Sequence, residues 1–204
     1  MVERLIHRVS EELRDELTVR YGQPSGMVER LVDRGREAAT IPLLRPIGGR
    51  LRDIERLVRH LHAHDRLTPS LLFRALCGGD IAVFVAGIAR RCGVGVANAR
   101  TLVFDDGPLG LPAVFEQAGI PSALLDPFRS AIAVAKEMKF RCGGKHRAAF
   151  QSRVIARILS DGHADPGSPA QDLLLELFDR RAEGFLKEGI AWAADGTKGK
   201  DAAE

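Results

Sequence analysis

Two pairs of side chains in this sequence, one His–His and one Cys–His, could bind a metal ion, because the two members of each pair are one helical turn apart. His60 and His64 are four residues apart in RHLHAHD, and Cys142 and His146 have the same spacing in CGGKH. Such pairs share one face of a helix and could together bind Zn²⁺. The two pairs lie far apart in dissimilar contexts, and the glutamate of a zinc-protease motif is missing. We therefore expect His60 and His64 to be solvated histidines at a helix end.

The glycine pairs do not have the pattern of a phosphate-binding loop. Gly143-Gly144-Lys145 is followed by His146, where such a loop requires serine or threonine, and no strand is predicted before it. In no other stretch do a nucleophile, a base and an orienting group come together. The sequence therefore predicts a protein that is not an enzyme and that uses no cofactor.

The most specific functional pattern is IARRCGVGVANARTLV, residues 88–103, which fits a helix-turn-helix. This motif needs a small residue where two helices cross, a glycine in the turn, and apolar residues on the inner face of the second helix. The residues at these positions are Ala89, Gly93, Val94, Ala99 and Leu102.

A DNA-binding interpretation of this segment assigns Asn98 and Arg100 to base contacts and Arg90 and Arg91 to phosphate contacts. Against it, the second helix has one arginine and no lysine, and it runs into Asp105-Asp106, which would repel the phosphate backbone. Tight packing of any two short helices needs the same small, glycine and apolar residues. We therefore favour a packing role and keep DNA binding as the alternative.

Solvent exposure distinguishes the two interpretations. DNA binding requires the outer face of residues 96–102 to be open. A packing role predicts that Val96 and Ala97 are covered.

Composition places the chain among ordinary globular proteins, with 28% charged and 45% hydrophobic residues in 204. A formal net charge of +3 is compatible with nucleic acid or an acidic partner but is not concentrated in clusters. No apolar run approaches the roughly 20 residues of a membrane span, and the N-terminus lacks the pattern of a secretory signal. Three cysteines without close pairing indicate reduced thiols. We expect a cytoplasmic protein with no membrane contact.

Apolar residues recur at steps of three and four throughout, and no run alternates with period two, so the fold class is predicted as all-α. The clearest helix signals lie in residues 67–107, which we expect to form three short helices that are the structural hub. Thr68 caps a start at Pro69, Gly79 closes that helix, Asp80 caps the next one, Gly93 forms the turn after it, and Asp106-Gly107 ends the third.

The flanking helices are predicted from apolar stripes and from prolines. Leu5, Ile6, Val9, Leu13 and Leu17 give the first helix one apolar face. A second helix is expected over 25–39. A later helix that starts at Pro121 is expected to have a kink or a break at Pro127, with Asp126 as a new cap.

We divide the chain into an N-terminal helical hairpin (1–45), a main helical domain (46–160), C-terminal helices (161–193) and a disordered tail (194–204). A short echo, AVF at 82–84 and again at 113–115, leaves two architectures open. They are a stack of antiparallel helices with HEAT-like repeat character and an irregular bundle.

The segment from Leu67 to Pro121 resembles an uncharacterised all-helical family of alphaproteobacterial proteins, domain of unknown function 2336. The shared features are the leucine-threonine-proline opening, the RALC-then-GD turn, the LA-x-x-x-GV pattern, the aspartate-glycine-leucine-glycine pattern and the final AG-x-P. Here they correspond to Leu67–Pro69, Arg74–Cys77 with Gly79-Asp80, Ile88–Val94, Asp106–Gly110 and Ala118–Pro121. The likeness covers most of residues 10–160. The chain departs from it near Val85, where the family typically has glutamate and this chain has an aliphatic residue. The resemblance implies a helical fold and assigns no activity.

Packed amphipathic helices account for the chain without a complete catalytic constellation. We therefore expect an adaptor or regulatory protein that acts by binding another protein. The alternative is a DNA-binding regulator that uses residues 88–103. Self-association into a homo-oligomer is compatible with either.

Overall fold

The computed structural model describes residues 2–20, 25–44 and 51–162, and helices account for most of these residues. No strand occurs within those ranges, so the all-α prediction is confirmed for them. Two short 3₁₀ turns, Ser122–Leu124 and Gly144–His146, precede the last two helices. The helices are α1 (Val2–Val19), α2 (Ser25–Leu44), α3 (Leu51–Ala63), α4 (Pro69–Cys77), α5 (Ile81–Cys92), α6 (Val96–Val103), α7 (Gly110–Gln117), α8 (Leu125–Glu137) and α9 (Arg147–Ser160).

The helix at the centre of the fold is α5. Its sequence, IAVFVAGIARRC, is apolar on almost every side, which is the pattern of a helix surrounded by others. It packs against α3, α4, α6 and α7, and Phe84 and Ile88 are completely buried. The segment predicted as the structural hub thus contains α4 and α5, each of which packs against four other described helices.

Four phenylalanines from four helices meet beside α5. The Phe128 ring of α8 lies 4.9 Å from Phe73 of α4, 5.6 Å from Phe84 of α5 and 4.8 Å from Phe115 of α7, measured between ring centroids. Edge and offset contacts of this kind are favourable beyond the area that they bury. Phe128 therefore connects α8 to three other helices.

Contacts between distant helices favour the irregular bundle over the repeat stack. In a solenoid each repeat touches only its neighbours. Here α4 packs against α8 and also against α9, although four other helices separate it from α9 in the chain. These contacts close the described helices into a bundle.

Several helix ends follow the local sequence signals. The Thr68 hydroxyl accepts a hydrogen bond from the Leu71 N–H at 3.0 Å, and Pro69 is the first residue of α4, as predicted. Gly79 (φ +82°) and Gly93 (φ +70°) adopt the left-handed conformation expected where α4 and α5 end.

Asp80 is the N-cap residue of α5, at the predicted position, but its side chain does not cap the helix. The Asp80 carboxylate makes no capping hydrogen bond to α5. Instead it accepts two hydrogen bonds from the Arg147 guanidinium of α9, at 2.9 and 3.0 Å. A bidentate partner with a full charge competes better for a carboxylate than neutral backbone N–H groups do.

This ion pair belongs to a junction between two glycine-rich turns. Arg147 also donates to the Gly78 carbonyl, and Gly79 lies so close to the backbone of Cys142 that a Cβ atom there would be 2.0 Å from the Cys142 carbonyl oxygen. The turns CGGD (77–80) and CGGKHR (142–147) therefore pack directly against each other. Among the glycines of these turns, Gly79 is the one that makes this close approach possible.

Some predicted boundaries differ from the structure. α2 continues through Pro42 to Leu44, beyond its expected end at residue 39. The α-helix expected from Pro121 begins at Leu125, after the 3₁₀ turn. Pro127 lies in its first turn, where the missing N–H breaks no helical bond, so α8 has neither a kink nor a break at Pro127 and Asp126 is not a cap. The predicted tail (194–204) and nearly all of the predicted C-terminal helices (161–193) lie outside the described residues.

A polar cluster around Glu37 attaches α2 to the main body. The Glu37 carboxylate accepts hydrogen bonds from the hydroxyls of Thr68 and Ser70, the latter at 2.5 Å. The Arg74 Nε atom lies 3.3 Å from the same carboxylate, and only 4% of the Arg74 side chain is exposed. Buried charges need such partners because burial removes their hydration.

We expect the substitution Glu37→Gln to lower the free energy of unfolding by about 2–3 kcal/mol, because it leaves the buried Arg74 charge without its carboxylate. Urea denaturation followed by circular dichroism measures the change. Glu29→Gln, which alters an exposed glutamate of the same helix, is the matched control and should shift the value by less than about 0.5 kcal/mol. Equal effects of the two substitutions would contradict a role for the cluster.

Candidate functional site

The α5–α6 unit has the geometry of a helix-turn-helix. The two helices cross at 106° and are joined by the three residues Gly93–Gly95. Helix-turn-helix motifs have crossing angles of about 90–120° and turns of this length. Ala89 (2% exposed) and Ala99 (0%) are buried, as predicted for the helix crossing and the inner face.

The outer face of α6 is open to solvent. Ala97, Asn98, Arg100 and Thr101 are exposed, whereas Val96 is half-buried. The packing interpretation predicted that Val96 and Ala97 would be covered, which is wrong for Ala97. The exposure required for binding a partner on this face is therefore present.

The predicted inner position of Leu102 is also wrong. Its side chain is 39% exposed, because the buried side of α6 is centred on Ala99 and Val103. At 100° per residue, Leu102 lies on one edge of the outer face and Arg100 on the other. The open face thus has an apolar edge.

Arg91 was predicted to contact a phosphate. In the structure it is instead bonded to the ends of neighbouring segments. Its guanidinium donates hydrogen bonds to the carbonyls of Leu67 (2.6 Å), Ala118 (2.5 Å) and Gly119 (3.4 Å). Carbonyls at helix ends have no intrahelical partner, and an arginine satisfies them well. These bonds direct Arg91 inward, so it cannot contact a phosphate on the α6 side. Arg90, the other predicted phosphate contact, is exposed.

A shallow cleft beside Arg91 has a volume of about 240 Å³ and includes His62 and Asp65 in its wall. Its only cationic side chain of fixed charge is Arg91, whose donors already serve backbone carbonyls. The cleft therefore offers no free guanidinium to an anionic ligand.

Arg100 is held over two aromatic rings at the edge of α6. Its guanidinium carbon lies 5.5 Å from the centroid of the Phe104 ring and 5.1 Å from that of Phe140. The two rings meet edge to face at 4.9 Å. Cation–π contacts orient the side chain and leave its outer edge able to bind. Arg100, predicted as a base contact, is thus exposed but preorganised by aromatic rings.

Phe140 lies in a strained turn that sequence reasoning missed. Lys139 (φ +51°) and Phe140 (φ +57°) both adopt the left-handed conformation, which costs a non-glycine residue about 1 kcal/mol or more. The Phe140 N–H bonds the Ala135 carbonyl at 2.8 Å and closes the end of α8. Phe140 remains 40% exposed, although it packs against Phe104. The only signal in the sequence was the basic composition of KFRCGGK.

This turn brings basic residues next to α6. Lys139 and Arg141 flank Phe140, are exposed, and have no ion-pair partner among the described residues. Lys136 is paired with Asp106 at 2.5 Å, which removes part of the acidic charge at the end of α6. We use the name α6 surface for the exposed residues of α6 together with three residues of this turn: Ala97, Asn98, Arg100, Thr101, Leu102, Lys139, Phe140 and Arg141.

The residues considered as metal ligands are not gathered into a site. The His60 and His64 rings lie 4.3 Å apart, and the Nδ1 atom of His64 is hydrogen-bonded to the His60 carbonyl. No group of three or more potential ligands occurs among the described residues.

All three cysteines are free and buried. Burial raises the pKa of the Cys77 thiol strongly, which the nearby Arg74 charge offsets only in part. Burial also raises the pKa of Cys142 to about 11 and that of Cys92 above its usual value, in the latter case against Arg91. Protonated thiols at neutral pH are poor nucleophiles and metal ligands.

Within the described ranges, no single helix is long and apolar enough to cross a bilayer. Only α5 and α6 taken together reach that length and composition, and they are bent by 106°.

The fold and the site define a small all-α bundle that presents an open helix-turn-helix unit. A family model described as "Uncharacterised protein conserved in bacteria (DUF2336)" matches residues 1–164, and the chain belongs to this family. The resemblance seen in the sequence is thereby confirmed, while its narrower alphaproteobacterial distribution stays a prediction. No curated protein and no solved structure matches the chain.

Proposed function

We propose that the protein is a non-enzymatic adaptor or regulatory protein of the cytoplasm that binds another protein through the α6 surface. The observation that carries the proposal is Arg100, which is preorganised over Phe104 and Phe140 on an open face. Arginine and aromatic side chains are enriched in the energetic centres of protein interfaces. Three free, buried thiols support a reducing compartment.

The composition of the α6 surface favours a partner segment with both apolar and acidic side chains. Leu102 and Phe140 provide apolar contact area, being 39% and 40% exposed. Lys139 and Arg141 provide positive charge that no described carboxylate neutralises. Ala97 and Thr101 lie between these edges, and small side chains allow a partner helix to approach closely. Charge complementarity of this kind increases association rate and specificity.

A photo-reactive amino acid in place of Thr101, at the centre of the surface, tests this proposal in the native cell. We expect a covalent adduct with a protein, and none from the same amino acid at the exposed Ala113 of α7. Reversing the charges with Lys139→Glu and Arg141→Glu should reduce the adduct at least ~tenfold, because the acidic partner is then repelled.

The outcome of that experiment can contradict the proposal in two ways. If the photo-reactive residue at position 101 gives no protein adduct, the proposed interface does not exist. An adduct that is unaffected by the charge reversal would show that the partner is not recognised by Lys139 and Arg141.

DNA binding through α5 and α6 is the second candidate function. The 106° crossing angle, the three-residue turn and the exposed Asn98 and Arg100 support it. The exposed Asp105 and Asp106 at the end of α6 weigh against it, because they face the phosphate backbone in the usual docking geometry.

The double substitution Asn98→Ala, Arg100→Ala tests this second candidate. If the protein reads DNA, binding to duplex DNA should weaken by at least ~tenfold and lose part of its salt dependence. Unchanged affinity and salt dependence in the double variant would exclude base reading by α6.

A further inference from the structure

The sequence beyond α9 has acidic residues that helical spacing places on one side. Residues 172–186, DLLLELFDRRAEGFL, lie outside the described residues and within the predicted C-terminal helices. We call them the C-terminal segment. At 100° per residue, its four acidic side chains fall within an arc of about 60°. They are Asp172, Glu176, Asp179 and Glu183.

Apolar residues border this acidic arc directly. Leu175 lies about 40° from Asp179, and Phe178 lies about 60° beyond Leu175. The two basic residues of the segment, Arg180 and Arg181, lie about 100° or more from the centre of the acidic arc. One face of the segment therefore combines acidic and apolar side chains without basic ones.

The α6 surface has the opposite charge and an apolar edge of its own. Lys139 and Arg141 are exposed and have no ion-pair partner among the described residues. Leu102 and Phe140 are 39% and 40% exposed. The acidic and apolar face of the C-terminal segment has the composition that this surface favours in a binding partner, because charge complementarity selects the segment and orients it.

The end of α9 is near enough for the segment to reach that surface. The Ser130 hydroxyl donates a hydrogen bond to the Asp161 carboxylate at 2.5 Å, so the end of α9 lies beside the middle of α8. From Ser130 to Phe140 the chain advances about 15 Å, and about 10 Å between packed helices brings the path to about 25 Å. Asp172 follows Asp161 by eleven residues, a length that can extend about 36 Å. The connection is therefore longer than the path.

We propose that the C-terminal segment binds the α6 surface of its own chain, with its acidic arc at Lys139 and Arg141 and its apolar edge at Leu102 and Phe140. This inference rests on the proposed function, because the segment then competes with the partner protein for the same surface. A tether of this length gives the segment an effective concentration on the order of millimolar. The partner must therefore displace it, and the segment sets a threshold for binding.

Photo-crosslinking of the purified full chain tests the contact. With the photo-reactive amino acid in place of Thr101, we expect an adduct of single-chain mass in which mass spectrometry finds residue 101 linked to the C-terminal segment. The cross-linked fraction should stay constant between about 1 and 100 µM, because a contact within one chain does not depend on concentration. The same amino acid at Ala113 should give no link to the segment.

Charge reversal tests what holds the segment. Asp179→Lys should lower the cross-linked fraction at least ~threefold, because a positive charge then faces Lys139 and Arg141. Glu188→Lys makes the same change on the opposite side of a helix and should have no effect. Lys139→Glu with Arg141→Glu should also remove the link, and adding Asp172→Lys with Asp179→Lys to that chain should restore it.

Competition has its own measurement in the native cell. Asp179→Lys weakens the segment, so it should raise the adduct between position 101 and another protein at least ~twofold. No increase would contradict competition between the segment and the partner.

Three results with the purified chain would overturn the proposal. They are no link from position 101 to the segment, an adduct of twice the chain mass, and a doubly reversed chain in which the link does not return. Each is distinct from a failure of the proposed function, which shows as the absence of an adduct with another protein in the cell.

Discussion

Replacing Phe128 by alanine is expected to lower the free energy of unfolding by about 4 kcal/mol. The Phe128 side chain is completely buried, and its ring contacts those of Phe73, Phe84 and Phe115 at centroid distances between 4.8 and 5.6 Å. The substitution removes three aromatic contacts at once and leaves a cavity where α4, α5, α7 and α8 meet. Because four helices form its wall, collapse around the cavity would require several of them to move together.

The surface residue Phe140 provides the matched control. Phe140→Ala removes the same atoms from a ring that is 40% exposed, so the expected loss is about 1 kcal/mol. Denaturant titration of both variants gives the difference directly. If Phe128→Ala does not fold, Phe128→Leu, which conserves most of the volume, should still lose about 1–2 kcal/mol. A Phe128 variant as stable as the Phe140 variant would contradict the central position of this ring.

Features that depend on neighbouring residues in the chain were predictable. Thr68 and Pro69 start α4 because a hydroxyl cap and a proline at the first helical position act within one turn. Gly79 and Gly93 end helices because a left-handed residue is needed there and glycine adopts it without strain. Ala89 and Ala99 marked the packing of α5 against α6, because two helices joined by a short turn need small residues where they meet.

Features that depend on distant partners were not predictable. Asp80 has the sequence of a helix cap, but Arg147, 67 residues further along the chain, binds its carboxylate. Arg91 looked available to phosphate, yet the carbonyls that hold it come from Leu67 and from Ala118, 27 residues away. A single sequence shows which donors and acceptors exist, and the fold decides which of them meet.

Apolar periodicity predicted the helices better than it predicted burial. The α1 stripe was correctly placed on a helix, but Val9 and Leu13 are exposed because α2 covers the adjacent side. Leu102 is exposed because α6 is only eight residues long and buries little beyond Ala99 and Val103. The sequence does not show which apolar residues of a helix stay exposed, because that depends on where the neighbouring helices pack.

The Phe140 turn shows the same limit for the α6 surface. Its backbone has two left-handed non-glycine residues, which no sequence pattern indicates. Its contact with α6 joins distant parts of the chain through the Phe104 and Phe140 rings. The basic charge that would complete the α6 surface therefore comes from another part of the chain. Its absence from α6 was one of the two sequence arguments against DNA binding.

Replacing Gly79 by alanine is expected to lower the free energy of unfolding by more than about 3 kcal/mol, from two separable causes. The φ angle of +82° is unfavourable for alanine, which accounts for about 1 kcal/mol. In addition, the new Cβ atom would lie 2.0 Å from the Cys142 carbonyl oxygen, so the turns 77–80 and 142–147 would have to separate. Their separation would weaken the Asp80–Arg147 ion pair that joins α5 to α9.

Two other glycines isolate these causes. Gly93 has a φ of +70° and no atom within 4 Å of the place that a Cβ would take, so Gly93→Ala introduces backbone strain alone and should lose about 1 kcal/mol. Gly143 has an ordinary φ of −107° and equally open surroundings, so Gly143→Ala should change stability by less than about 0.5 kcal/mol. Denaturant titration should therefore rank the losses Gly79, then Gly93, then Gly143. A Gly79 variant no less stable than the Gly93 variant would show that the two turns can separate without loss, and the junction would not hold α9 against the bundle.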